Sequence, residues 1–208
     1  MHQKTDATPA TCVKRPPGRP RSERAHQAIL KSTLKYLEAK QSGFADLTIE
    51  NVAAEAGVGK ATVYRWWPNK AALVAEAFLS GAEVELRFPD TGSVRSDMSL
   101  QMKNLVRIMR GKRGRIISAL IGGGQSDPEL IQAFRERFMW PRRQEAYGTL
   151  RRGIERGELP PDLDMDVMLD TLYGALYIRF LIRHDELTEE FVDQVCEMVV
   201  EGVGGKHS

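Results

Sequence analysis

Cysteine is nearly absent from this chain. Of 208 residues only Cys12 and Cys196 are cysteine, one in a polar tail and one near the far end. Two such residues make neither a disulfide framework nor a metal site. The four histidines (His2, His26, His184 and His207) are scattered, and none stands beside a plausible nucleophile. No apolar run approaches the roughly 18 residues that span a bilayer, and Met1 to Arg15 lacks the apolar stretch of a secretory signal. Segments of strand period and internal repeats are missing as well. Gly122-Gly123-Gly124 follows no strand and lacks the lysine of a phosphate-binding loop. Together these absences argue against a secreted disulfide scaffold, a membrane protein and an enzyme. A cytoplasmic protein is expected, with no catalytic residue, metal or cofactor.

What is present is core and charge. Hydrophobic residues make up 42% and charged residues 28%, enough for one compact helical protein with a small head and a larger body. The formal net charge of +2 conceals an asymmetry. Residues 1–70 hold 12 Lys and Arg against 6 Asp and Glu, whereas residues 71–208 hold 18 against 22. A basic head on a mildly acidic body suits a polyanion-binding module attached to something else, although a solvated basic tail gives the same balance.

Residues 1–22 are rich in Pro, Thr and basic residues, have no apolar periodicity and read as a disordered basic arm. Helical spacing begins after Ser22 with Ala25, Ile29, Leu30, Thr33, Leu34 and Leu37, and Gly43 should end that helix. Thr48 caps a short helix with the apolar stripe Ile49, Val52, Ala53 and Ala56, and Gly57 supplies a tight exit. Another short helix should run from about Lys60 to Trp67, and a long one from Lys70 to about Phe88. Val94 to Met109 carries a further stripe. Ile116 to Ile121 reads as a short buried segment ended by the three glycines. Asp127-Pro128-Glu129 is a strong helix start, and Pro141 should kink or break the helix it opens. The last helices span about Asp164 to Arg183 and Thr188 to Val203. The predicted fold is all-α, with a small helical head over residues 23–70 and a larger helical body over residues 71–208.

Two short helices joined through Ala56-Gly57-Val58-Gly59 have the dimensions of a helix-turn-helix, whose second helix reads the major groove. That second helix places Lys60, Thr62, Tyr64, Arg65 and Trp66 on barely two turns, with Val63 and Trp67 as its inward seam. An amphipathic surface helix is the plainer alternative, but it would not gather so many hydrogen-bonding groups. Lys70 sits at a helix start, where the macrodipole disfavours a cation and a bound phosphate would relieve the conflict.

The run Leu47-Thr48-Ile49, Val52-Ala53, Ala56-Gly57-Val58, Ala61-Thr62-Val63-Tyr64, Trp67, Asn69-Lys70 and Leu73 resembles the DNA-binding domain of the tetracycline-repressor family. The likeness covers about residues 25–75 at fixed spacing. It implies that Thr62 and Tyr64 touch DNA backbone or bases, that Lys70 contacts a phosphate, and that Thr48 lies near the phosphates. The chain departs at Gly59, where a serine is frequent, and at Trp67, where Phe is usual. The resemblance further implies a homodimer on a double-stranded DNA operator, and a small-molecule effector in the middle helices whose binding moves the helix after Lys70. Phe78, Met102, Leu105, Met109, Leu120, Phe134, Phe138, Trp140, Tyr147 and Tyr177 are the large side chains in those helices, and each also fits ordinary core. Residues 151–202, with Arg152-Gly153-Ile154-Glu155-Arg156-Gly157-Glu158-Leu159-Pro160 and Leu172-Tyr173-Gly174-Ala175, resemble one branch of the family.

The apolar residues Leu172, Leu176 and Phe180, followed by Phe191, Val195 and Val199, give the last two helices broad faces for a dimer interface, unless they simply close the monomer core. Gly174 and Ala175 would let helix backbones approach closely. In the arm, Lys14-Arg15-Pro16-Pro17-Gly18-Arg19-Pro20-Arg21 resembles an AT-hook. Arg19 and Arg21 would then enter the narrow minor groove of A·T-rich DNA. An architectural DNA protein could use such a hook, but would not need the long body.

Overall fold

A computed structural model describes residues 23–39, 46–82 and 86–202. Every regular element among the described residues is helical. The first helix, α1 (Glu23–Ala39), buries Ile29, Leu30, Thr33 and Leu37 on one stripe. Thr48 accepts a hydrogen bond from the Asn51 amide at 3.2 Å and so caps α2 (Ile49–Glu55). Gly57 takes φ +67°, a left-handed turn that a side chain would strain. It leads into α3 (Lys60–Tyr64).

The next helix, α4 (Lys70–Ala82), is apolar almost all round because it is packed on both sides. It lies against α1 and also against the helices of the body, and Ala71 to Ala75, Ala77 and Phe78 are all buried. The helical spacing that pointed on to Phe88 is not followed that far, since residues 86–93 are turn and irregular chain. Pro89 disfavours the α conformation at Phe88. Leu86 and Phe88 instead line a cavity in the body.

The body begins with α5 (Val94–Arg110) and α6 (Lys112–Gly124). The three glycines expected to stop α6 are its last helical residues. A Cβ on Gly124 would lie 2.9 Å from the Cβ of Ile131, and one on Gly123 would lie 3.0 Å from Leu130. These two glycines therefore serve the close approach of the following helix, α7 (Pro128–Phe134), which Asp127 caps through the Glu129 and Leu130 amides.

Pro141 does not break the chain's helical course. A π-helical turn (Arg135–Met139) leads directly into α8 (Trp140–Glu155), where proline sits in the first turn. Proline has no N–H and its ring conflicts with the carbonyl four residues earlier. A widened turn just before it absorbs both problems without ending the helix. Asp164 caps α9 (Met165–Ile182), and Thr188 caps α10 (Glu189–Cys196), which runs on as a second π-helical turn (Glu197–Glu201).

Candidate DNA-reading helix and ligand cavity

The corner formed by α2 and α3 is anchored from within. Val63 and Trp67 have no exposed surface, so α3 can present its remaining residues outward. Tyr64 is 52% exposed, Lys60 and Arg65 are exposed, and Thr62 is half-buried. Thr48 is exposed at the start of α2. Lys60 Nζ donates to Glu50 Oε1 at 2.9 Å, and this hydrogen bond raises the lysine pKa and lowers the carboxylate's. Gly59 leaves α3 without a side-chain cap. Trp66, expected among the DNA-facing groups, turns toward α1, and its ring lies 4.3 Å from that of His26. Lys70 is half-buried at the first position of α4. Arg19 and Arg21 lie outside the described residues.

Among the described residues the head is tied to the body by polar contacts that sequence patterning did not reveal, one of them from Arg113 Nε of α6 to Glu38 Oε1 of α1 at 3.2 Å. Asn69 accepts from the Ala72 amide at 2.9 Å, which caps α4, and donates to Glu129 of α7 at 2.9 Å. Glu76 of α4 does more. It meets His26 Nε2 at 2.9 Å, accepts the Trp67 indole N–H at 2.9 Å, and accepts a hydrogen bond from Arg137 of the π-helical turn. One carboxylate thus joins α1, the exit of the reading helix and the body.

Beside Arg137 in sequence, Phe138 and Met139 form part of the wall of a cavity of about 310 Å³. Leu86, Phe88, Gln101, Leu105, Arg142, Arg143, Ala146, Leu169, Asp170, Tyr173, Gly174 and Tyr177 complete it. Of the residues expected in a pocket, Leu105, Phe138 and Tyr177 line this space. Phe78, Met102, Leu120 and Phe134 are closed core instead, and Met109, itself buried, borders a separate cleft with Phe180 and Leu187. Phe78 and Phe134 back the wall through ring contacts with Phe138 at 5.2 and 5.1 Å. Tyr147 bonds Asp166 beside Arg143, and Trp140 is 48% exposed. Gln101 and Tyr173 were missed, although a glutamine within the apolar stripe of α5 was a usable signal.

Leu172 and Leu176 have no exposed surface, and Val195 has little. They close the protomer's own core, leaving nothing for a partner to bury. Phe180, Phe191 and Val199 are half-buried. The apolar residues that α9 leaves uncovered are Val167, Ile178, Leu181 and Ile182, with Met198 beyond α10. Gly174 meets no neighbouring helix where a Cβ would stand.

Residues 29–77 match the profile of bacterial regulatory proteins of the tetR family. Residues 88–199 match that of the tetracyclin repressor-like C-terminal domain. This chain belongs to the TetR family. The HTH-type transcriptional regulator YdeS of Bacillus subtilis is 42% identical over 186 residues, covering 89% of this chain and 93% of that protein. The DNA-binding transcriptional repressor TetR of Mycobacteroides abscessus is 30% identical over 145 residues, covering 69% and 75%. The crystal structure of the TetR family transcription regulator SCO0332 superposes with a TM-score of 0.78 at 37% identity, covering 87% of this chain and 99% of that one. As a TetR-family member the chain is a DNA-binding transcriptional regulator with a helix-turn-helix head, not an enzyme. No helix among the described residues is long and apolar enough to cross a membrane.

Proposed function

We propose that this TetR-family regulator is a repressor, that it binds a palindromic operator as a homodimer in the cytoplasm, and that a small molecule in the body cavity releases it. The observation that carries this reading is the Glu76 junction. A molecule that displaces Phe138 or Met139 must move Arg137, and Arg137 is bonded to the carboxylate that holds Trp67 and His26. Thr48, Lys60, Thr62, Tyr64, Arg65 and Lys70 are the groups assigned to the duplex. The uncovered apolar residues of α9, together with Phe180, Phe191 and Val199, are assigned to the partner subunit. Arg19 and Arg21 are assigned to the minor groove beside the operator.

Selection of bound duplexes from a random pool tests the first part, and a single short palindrome is the expected result. Uniform coating of A·T-rich DNA would instead indicate an architectural protein. A small-molecule screen read by operator release tests the second part.

A further inference from the structure

The body cavity has a chemistry more specific than its size. Most of its wall is apolar, and each guanidinium in it already faces a carboxylate. Arg143 bonds Asp166 and Asp170, the latter at 2.7 Å, and Arg142 bonds Glu145. A bare carboxylate or ammonium would therefore lose its hydration there without gaining a free counter-ion.

Two neutral groups in the wall are unmatched. Gln101 is 2% exposed and takes the Tyr173 hydroxyl on its Oε1. That is its one side-chain hydrogen bond among the described residues, so its Nε2 amide is a donor without an acceptor. Tyr177 stands one helical turn beyond Tyr173 on α9 and also lines the cavity. Burial pushes its hydroxyl up to about 12, which keeps it a neutral O–H. Arg142 Nε, enclosed in the same wall, has no acceptor either. The wall is thus short of acceptors, and a buried donor gains most from a ligand that brings one.

We infer that the cavity takes a neutral, largely apolar molecule with a carbonyl-type oxygen, such as a ketone, lactone, quinone or ester. Gln101 Nε2 and the Tyr177 hydroxyl receive that oxygen. A volume of about 310 Å³ lies at the low end for small-molecule sites and suits one or two fused rings. The inference rests on the ligand-released reading for its biological consequence, while the binding chemistry stands on the wall itself.

Four matched probes test it by titration calorimetry with the full-length protein: acetylnaphthalene, ethylnaphthalene, naphthoate and naphthylethylammonium. The ketone is expected to bind at least about tenfold more tightly than the other three, since a site built to donate a hydrogen bond discriminates against analogues that cannot accept one. Gln101→Leu should remove that preference while leaving ethylnaphthalene affinity within about twofold. Tyr177→Phe, which deletes one oxygen from a folded wall, should reduce it in the same direction and serves if Gln101→Leu does not fold. Equal binding of ethylnaphthalene or naphthoate, or no binding of the ketone, overturns the inference. Operator release is scored separately. A ketone that binds with this signature yet leaves the operator occupied overturns the ligand-released reading and upholds the cavity chemistry. A carboxylate that releases the operator does the reverse.

Discussion

Glu76 and Arg137, 61 residues apart in sequence, share a hydrogen bond, and the same carboxylate oxygen of Glu76 accepts the indole N–H of Trp67. The acceptor is only partly exposed, so losing a partner there costs more than losing one on the open surface. Only a ligand that prefers one of two head arrangements can shift the balance between them. A preference of about a hundredfold corresponds to close to 2.7 kcal/mol per site. Arg137→Met removes the body's hold on Glu76 and keeps most of the side chain's volume. Operator affinity should stay within about threefold of the parent, and ligand-induced release should fall by about tenfold or more. Fluorescence anisotropy of a labelled operator, with and without ligand, measures both. Full release by the variant would show that the junction transmits nothing.

Tyr64→Ala and Thr62→Ala should each weaken specific operator binding by about 1–3 kcal/mol. The fold should survive, because Tyr64 is 52% exposed and Thr62 half-buried. Lys70→Ala should weaken binding to all sequences alike and lower the salt slope by about one. Titrations at several salt concentrations, on operator and on random duplex, separate the two kinds of loss. Normal operator binding by Tyr64→Ala would remove α3 as the reading helix.

Two glycine substitutions should act in opposite directions. A Cβ on Gly153 would lie 2.0 Å from Val94 Cγ2, so Gly153→Ala should destabilise by about 1–3 kcal/mol through overpacking. Gly122 is helical with open space where a Cβ would stand, and Gly122→Ala should stabilise by about 0.5–1 kcal/mol. Urea denaturation followed by circular dichroism reads both. Equal midpoints for the two variants would contradict the packing described for α5 and α8.

Ile178 and Ile182 are 57% and 67% exposed on α9. Ile178→Asp combined with Ile182→Asp should shift the proposed dimer to monomer and abolish operator binding at protomer concentrations that saturate the parent. Light scattering after gel filtration gives the mass directly. A dimer that survives both charges would place the interface elsewhere.

The hydrogen bond from Lys103 holds the Asp193 carboxyl below its ordinary 3.8. A depressed folded pKa contributes stability that is fully present above about pH 3.8 and is lost as pH falls through the lower folded value. Asp193→Asn should therefore flatten the acid limb of the stability curve and change little at neutral pH beyond the lost ion pair. Melting temperatures across the acid range check this, and an unchanged acid limb would count against the α5–α10 link.

Helix starts were legible because a few residue types satisfy free amides at short range. Thr48 and Asp127 cap the helices expected of them, and Asp164 and Thr188, expected as the first residues of the last two helices, are their caps. The inward seam of Val63 and Trp67 was legible for the same local reason. The Glu76 junction was not, since its three partners, His26, Trp67 and Arg137, come from three separate parts of the chain and only the packing of α4 between head and body gathers them. The cavity was legible as a region and not as a wall. Periodicity shows that Met102 and Tyr177 point inward, but not that Met102 meets closed core and Tyr177 meets empty space. Nor could it show that Leu172 and Leu176 are enclosed by their own protomer while Ile178 stays uncovered.

The π-helical turn ahead of Pro141 has a consequence for descent. An α-helix advances by about 100° per residue, so a turn closed over five residues in place of four acts as a one-residue insertion that the helix absorbs instead of expelling as a loop. The side chains beyond it therefore keep the faces they would have without the extra residue. A homologue lacking that residue can close the turn as ordinary α-helix and still present its counterparts of Arg142, Arg143 and Ala146 to the cavity. Were the turn to tighten with the residue kept, α8 would turn by about 100° and carry those side chains to another side of the bundle, so the cavity wall depends on the turn staying wide.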